Sequence, residues 1–186
     1  DSKKVPDFMV EENFEYLGSD DIDTSRYISR EFFEKEKECM WTRVWQFACR
    51  VEDIPEVGDS LVYDILDWSF LIVRSDENTI KAFYNSCLHR GRRIKTERGF
   101  GNQLECPFHG FCWHLDGSLK FTPAPWDFAH IKDKDFSLPE VRVEIWQGFV
   151  FINMDDNAVP LEEYLAPIPE HHKRWDLGNC KKVIHV

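Results

Sequence analysis

Two hydrophobic periods divide the chain. Between residues 29 and 47, Phe33, Met40, Val44 and Phe47 recur at helical spacing, Ser29 stands where an N-cap is needed, and Glu31, Glu34 and Glu36 follow early. This predicts a helix from Ser29 to about Gln46 whose aromatic stripe packs on a core. From Ala48 onward the pattern becomes that of strands. The stretches 59–73, 79–85, 103–105, 111–114, 118–121 and 141–153 are rich in β-branched and aromatic residues and are separated by Gly, Asp, Asn or Pro. Residues 1–28 are polar with isolated aromatics (Phe8, Phe14, Tyr16, Tyr27) and read as an extended arm. After Met154, the run Asp155-Asp156-Asn157 and the prolines 160, 167 and 169 read as a connector wrapping the domain. The expected organisation is an arm and helix over 1–45, a mainly β domain of antiparallel sheets over 46–155, and a connector over 156–186.

Composition narrows the class. A hydrophobic content of 42% with 15% aromatics excludes disorder as the default. No apolar run reaches the roughly 18 residues a membrane span needs, and the charged opening Asp1-Ser2-Lys3-Lys4 leads into no signal peptide. The six cysteines show no disulfide-framework spacing, which favours free thiols, a reducing compartment and a cytoplasmic location. A net charge of −11 argues against nucleic acid or an anionic membrane as partner.

The chemistry lies in Cys87-Leu88-His89 and Cys106-Pro107-Phe108-His109, sixteen residues apart. Two thiolates and two neutral imidazoles from two short loops are the ligand set of a Rieske 2Fe–2S centre, in which His replaces Cys on one iron and raises the potential. The competing reading is zinc, or thiols and imidazoles that share no ion. Zinc modules pair Cys with Cys and His with His, whereas the order here is mixed. Asn85-Ser86, Arg90-Gly91, Gly110 and the Asp116-Gly117 turn also suit hairpin tips that clamp a cluster.

The stretch from about Phe83 to Leu119 resembles the Rieske domain of the alpha subunits of Rieske non-haem iron ring-hydroxylating oxygenases. Their loops read Cys-x-His-Arg-Gly and Cys-x-x-His-Gly, as do Cys87–Gly91 and Cys106–Gly110. A looser similarity runs from the helix near Arg30 to the segment 148–153. Phe111, where the family commonly has Trp, and Cys112-Trp113 depart from the pattern.

The resemblance implies a Rieske fold with cluster loops over about 83–120, and Cys87 and Cys106 on one iron with His89 and His109 on the other. Respiratory Rieske proteins carry an extra Cys in each loop and a Ser near the second His. Arg92, Phe108 and Phe111 stand at those places, which implies a low potential. It further implies a ferredoxin or reductase as electron donor, a homotrimer or alpha–beta hexamer, and NAD(P)H- and O2-dependent mono- or dioxygenation in aromatic hydrocarbon catabolism. The alternative is a stand-alone Rieske-type electron carrier.

The mononuclear Fe(II) of such oxygenases needs two His and a carboxylate. Asp127-x-x-His130 begins like such a motif, but no second His follows within a helical turn, and His171-His172 on a helix point about 100° apart. His114, His130, His171, His172 and His185 are therefore read as structural or surface residues. No catalytic residue is expected in this chain, the oxygenase iron belonging to a catalytic domain beyond it. Between the ligand pairs the sign of the charge reverses: Arg90, Arg92, Arg93, Lys95 and Arg98 face only Glu97 and Glu105. This is either an ordinary solvated loop or a cationic rim that stabilises a reduced cluster and steers an acidic donor.

Overall fold

A computed structural model describes residues 4, 5, 10, 16, 18–131 and 136–183. Phe8 and Phe14 of the expected arm, and His185, lie outside them. The arm is not wholly extended, since one helical turn, α1 (Ser25–Ile28), follows Asp23, whose side chain accepts from the Ser25 amide at 2.8 Å. The expected helix begins as read: Ser29 Oγ accepts from the Phe32 amide at 3.2 Å and caps α2 (Arg30–Glu36). It continues as a π-helical turn over Lys37–Trp41 and stops there, short of Gln46.

Its aromatic stripe does not pack on a core, because no residue of α2 or of the π turn is buried. Phe47 belongs instead to a strand, β1 (Gln46–Arg50), where it stands opposite Phe151 and packs its ring edge-on against Phe149 and Phe151. The cross-strand aromatic partners, absent from any local window, win over the helical period.

Two segments expected as single strands are hairpins. The first splits into β2 (Asp59–Ile65) and β3 (Trp68–Asp76). The last splits into β9 (Glu140–Trp146) and β10 (Phe149–Asn153) across Gln147 and Gly148, both at positive φ (49° and 78°), as a two-residue hairpin turn matched to strand twist requires. With β4 (Thr79–Tyr84) and β5 (Gly99–Phe100) they form a seven-stranded antiparallel sheet in the order β1-β10-β9-β4-β3-β2-β5. A three-stranded sheet of β6 (Leu104–Glu105), β7 (Cys112–Trp113) and β8 (Leu119–Phe121) stands apart.

Strand β3 explains how the two parts meet. Phe70 and Ile72 face one core, with Ile54, Val141, Val150 and Ile152. Leu71 and Val73 face the other, with Phe83, Leu104, Phe111 and Trp113 beneath the small sheet. Both faces are dry, so four consecutive apolar residues replace the usual alternation.

The connector is more structured than its prolines suggested. Pro160 caps α3 (Leu161–Tyr164), and α4 (Ile168–His172) follows with Pro at its start, where a missing N–H costs nothing. It does wrap the domain. Leu161 and Leu165 pack on Trp45, whose Nε1 donates to Val159 O at 2.9 Å. Arg50 donates to Leu177 O and Cys180 O, and the Lys182 amide donates to Glu52.

Candidate metal centre

The two Cys–His loops close in the same way. In the first, the Cys87 amide donates to Arg92 O and the Gly91 amide returns to Cys87 O, both at 2.8 Å. In the second, the Cys106 amide donates to Phe111 O at 2.8 Å and the Gly110 amide to Cys106 O at 3.0 Å. Each loop therefore runs Cys to Gly in five residues, and each glycine sits at positive φ, 69° and 77°. The histidine occupies the third place in one loop and the fourth in the other. Unequal spacing thus lies on equal backbone frames.

Folding brings the four side chains together. Cys87 and Cys106 are both buried in the core beneath the small sheet, and the rings of His89 and His109 lie 4.8 Å apart. His109 is exposed and His89 half-buried. Nδ1 of His89 is buried and meets no hydrogen-bond partner, the expected state of a ring nitrogen reserved for a metal. Among the described residues no three His, Cys, Asp or Glu side chains could share a single ion, while the two imidazoles lie beside each other and Cys106 bears on the Cys87 thiol. Thiol pairs and imidazole pairs on facing loops fit a two-iron cluster.

The electrostatics agree. Burial pushes the Cys87 thiol up, the neighbouring Cys106 adds to this, and the backbone N–H groups of His89 and Arg90 act on its sulfur in the opposite sense. Burial, with His109 and Arg90 nearby, holds the His89 imidazole below its ordinary value, favouring the neutral, ligating form. Phe111 is fully buried and lies 4.9 Å from the His89 ring, with Trp113 stacked behind it at 6.4 Å. Phe128 meets His89 edge-on at 5.4 Å, and Phe108 lies 3.8 Å from His109. The Phe in place of Trp is thus backed by a second aromatic layer.

One residue read as part of the first hairpin tip does more than its place in the chain suggested. Asn85 is buried; its Oδ1 accepts from the Ile94 and Lys95 amides at 3.0 Å, and its Nδ2 donates to Lys95 O at 2.8 Å and Ser69 Oγ at 3.0 Å. It joins the two ends of the first loop to β3. Sequence alone offers only an Asn before a Cys, because the partners are ten residues downstream and on another strand.

The other histidines do not join the site. His114 and His130 are exposed, as is Asp127, and His171 and His172 sit side by side on α4 with rings 4.9 Å apart. All six cysteines are free thiols. No helix among the described residues is long and apolar enough to cross a membrane.

A family model described as the Rieske [2Fe-2S] domain matches residues 44–132. The chain is 32% identical over 178 residues to the 2-aminobenzenesulfonate 2,3-dioxygenase subunit alpha of an Alcaligenes species. The chain carries a Rieske [2Fe-2S] domain and is similar to the alpha subunits of Rieske oxygenases. The alignment covers 92% of this Rieske chain but 44% of that relative. The carnitine monooxygenase oxygenase subunit of Escherichia coli K12 is 32% identical, over 88% of the chain and 45% of its own length. The Rieske chain thus spans less than half of these relatives. A solved quaternary ammonium Rieske monooxygenase in complex with L-carnitine superposes with a TM-score of 0.76 at 30% identity, covering 81% of this chain and 43% of that one. The mainly β Rieske fold and its 2Fe–2S cofactor follow.

Proposed function

We propose that Cys87 and Cys106 hold one iron and His89 and His109 the other, and that the domain passes electrons from a ferredoxin or reductase to a mononuclear non-haem iron outside these residues. The supporting observation is the convergence of two equal loop frames on a pair of buried thiols and a pair of imidazoles, with His89 Nδ1 buried and unpartnered. When bound, the cluster supplies one-electron storage at a potential raised by its imidazole ligands.

The chain's own residues shape that site. Phe111, Phe128 and Phe108 screen the imidazoles from water, while the exposed His109 leaves one side open to a partner. Phe111 offers no hydroxyl to a cluster sulfur, and with every cysteine a free thiol no disulfide braces the loops. The midpoint therefore belongs toward the low end of the roughly −150 to +300 mV Rieske range.

The whole enzyme on this reading is an NAD(P)H- and O2-dependent mono- or dioxygenase, assembled as a homotrimer or alpha–beta hexamer. Its substrate is chosen outside these residues. The expected aromatic class suits the aminobenzenesulfonate relative, whereas the carnitine relative acts on a quaternary ammonium compound by name. The test is anaerobic purification. Two irons and two acid-labile sulfides per chain, with a Rieske-type paramagnetic resonance spectrum on reduction, are expected; zinc, or an all-thiolate spectrum, would falsify the ligand assignment.

A further inference from the structure

We propose that Phe128 is a positioning residue for the cluster, its ring edge setting the plane of the His89 imidazole so that Nδ1 faces the iron. This rests on the ligand assignment above and adds to it the group that aims one ligand. A histidine ring has little torsional preference of its own, since rotation about its last side-chain bond is broad. In most metal sites the plane of a ligating imidazole is fixed by a hydrogen bond from its other ring nitrogen. Among the described residues no side-chain hydrogen bond reaches the His89 ring. Its orientation therefore comes from packing.

Three rings supply that packing. Phe111 lies 4.9 Å from the imidazole and is tilted from it by 32°. Phe128 meets it at 5.4 Å and 84°, and His109, itself a ligand, at 4.8 Å and 63°. Phe128 also stands at 80° to Phe111, 5.2 Å away, so the two phenyl rings make a corner that holds the imidazole. Phe111 follows the second loop directly, whereas Phe128 comes from a segment outside both loops.

The backbone around Phe128 aims that ring. After β8 the chain makes overlapping turns: the Asp127 amide donates to Ala124 O at 2.9 Å, the Phe128 amide to Pro125 O at 3.2 Å, and the Ile131 amide to Phe128 O at 2.9 Å. Ala124 takes a φ of 47°, a left-handed conformation that strains a residue with a Cβ and persists only where the surrounding structure imposes it. Phe128 is thereby turned onto the core beneath the small sheet, while Trp126, Asp127, Ala129 and His130 are exposed. A turn shaped only to bury apolar surface would not seat Phe128 and leave the larger Trp126 77% exposed.

The test loads the chain with its cluster anaerobically, with isotope-labelled histidine nitrogens, and reads the two imidazole couplings by pulsed electron–nuclear double resonance. Phe128→Ala should shift one coupling and leave the other. It should also raise the midpoint, because water then reaches the imidazole and stabilises the negative charge added on reduction, and quicken iron release to a chelator roughly 10- to 100-fold. Phe128→Tyr keeps the ring and should match the parent throughout. Phe128→Leu keeps much of the bulk without the ring edge and should still show the shifted coupling. Trp126→Ala, in the same run of turns, should change nothing. Parent couplings in Phe128→Ala, equal shifts in both couplings, or Phe128→Leu indistinguishable from Phe128→Tyr overturn the positioning role. Should Phe128→Ala fail to hold its cluster, the Phe128→Leu and Phe128→Tyr chains decide. Absence of the Rieske spectrum from the unmodified chain overturns the ligand assignment instead.

Discussion

The loop of Cys87 and the loop of Cys106 share a backbone plan but are held differently. Both close with an amide from Cys to the fifth residue on and a return amide from Gly. The first is fastened from within by Asn85, which ties Ile94 and Lys95 to Ser69. The second has no buried polar residue of this kind. It lies between β6 and β7 and takes its rigidity from the ladder, with Glu105 opposite Cys112. The long first loop therefore needs a side chain to supply the hydrogen bonds that a hairpin gives the short one.

The largest expected effect treats the loops alike. His89→Ala and His109→Ala should each abolish or sharply reduce cluster content, measured as iron and sulfide per chain, because on the proposed assignment each removes one of two protein ligands from the same iron. Full iron content in His109→Ala would break the symmetry of the pair.

Asn85→Ala should next separate the loops. It leaves the Ile94 and Lys95 amides and Lys95 O without their buried partner, a cost of about 2–4 kcal/mol. Gln103→Ala, beside the second loop, loses only exposed contacts to Glu105 and Lys120 and should cost within about 0.5 kcal/mol. Denaturant melts of the two variants compare the fastenings directly, and equal losses would sink the distinction.

The glycines then test the shared frame. A Cβ at Gly110 would meet nothing within 4 Å, and one at Gly91 only Ser86 Oγ at 3.9 Å. Alanine at either should thus cost only the backbone penalty, about 1–2 kcal/mol, and equally. Gly117→Ala is the contrast, since its Cβ would lie 2.4 Å from the Phe83 ring at a φ of +85°, and it should cost more than either.

A further effect concerns a thiol outside both loops. Burial against the large sheet pushes Cys49 up to about 12 from 9.0. Its folded pKa exceeds the unfolded one, so the unfolded chain sheds this proton first, and stability is complete below about 9 and falls as pH rises toward about 12. Urea midpoints at pH 8 and pH 10.5 should fall less in Cys49→Ala than in the parent. An identical fall would remove Cys49 from the account.

What could be read in the chain follows from the range of the forces involved. The four candidate ligands were legible because both spacings lie inside five-residue frames. The hairpin strands β2, β3, β9 and β10 were legible as strand, although their turns at Leu66-Asp67 and Gln147-Gly148 were hidden by the surrounding apolar runs. The fate of Phe47 was not, since Phe151 decides it from more than a hundred residues away. Asn85 was read as part of a hairpin tip, but its partners Ile94, Lys95 and Ser69 were hidden for the same reason. The short helices of the connector were masked by prolines that happen to sit at helix starts, where they do no harm.

The two-faced strand β3 sets how the molecule comes apart. Phe70 and Ile72 seal one core while Leu71 and Val73 seal the other, so a fluctuation that frees the loops must lift one wall of the large sheet as well. The cluster loops and the sheet are in that sense one cooperative unfolding unit, and amide exchange along β3 measures the opening energy of both at once.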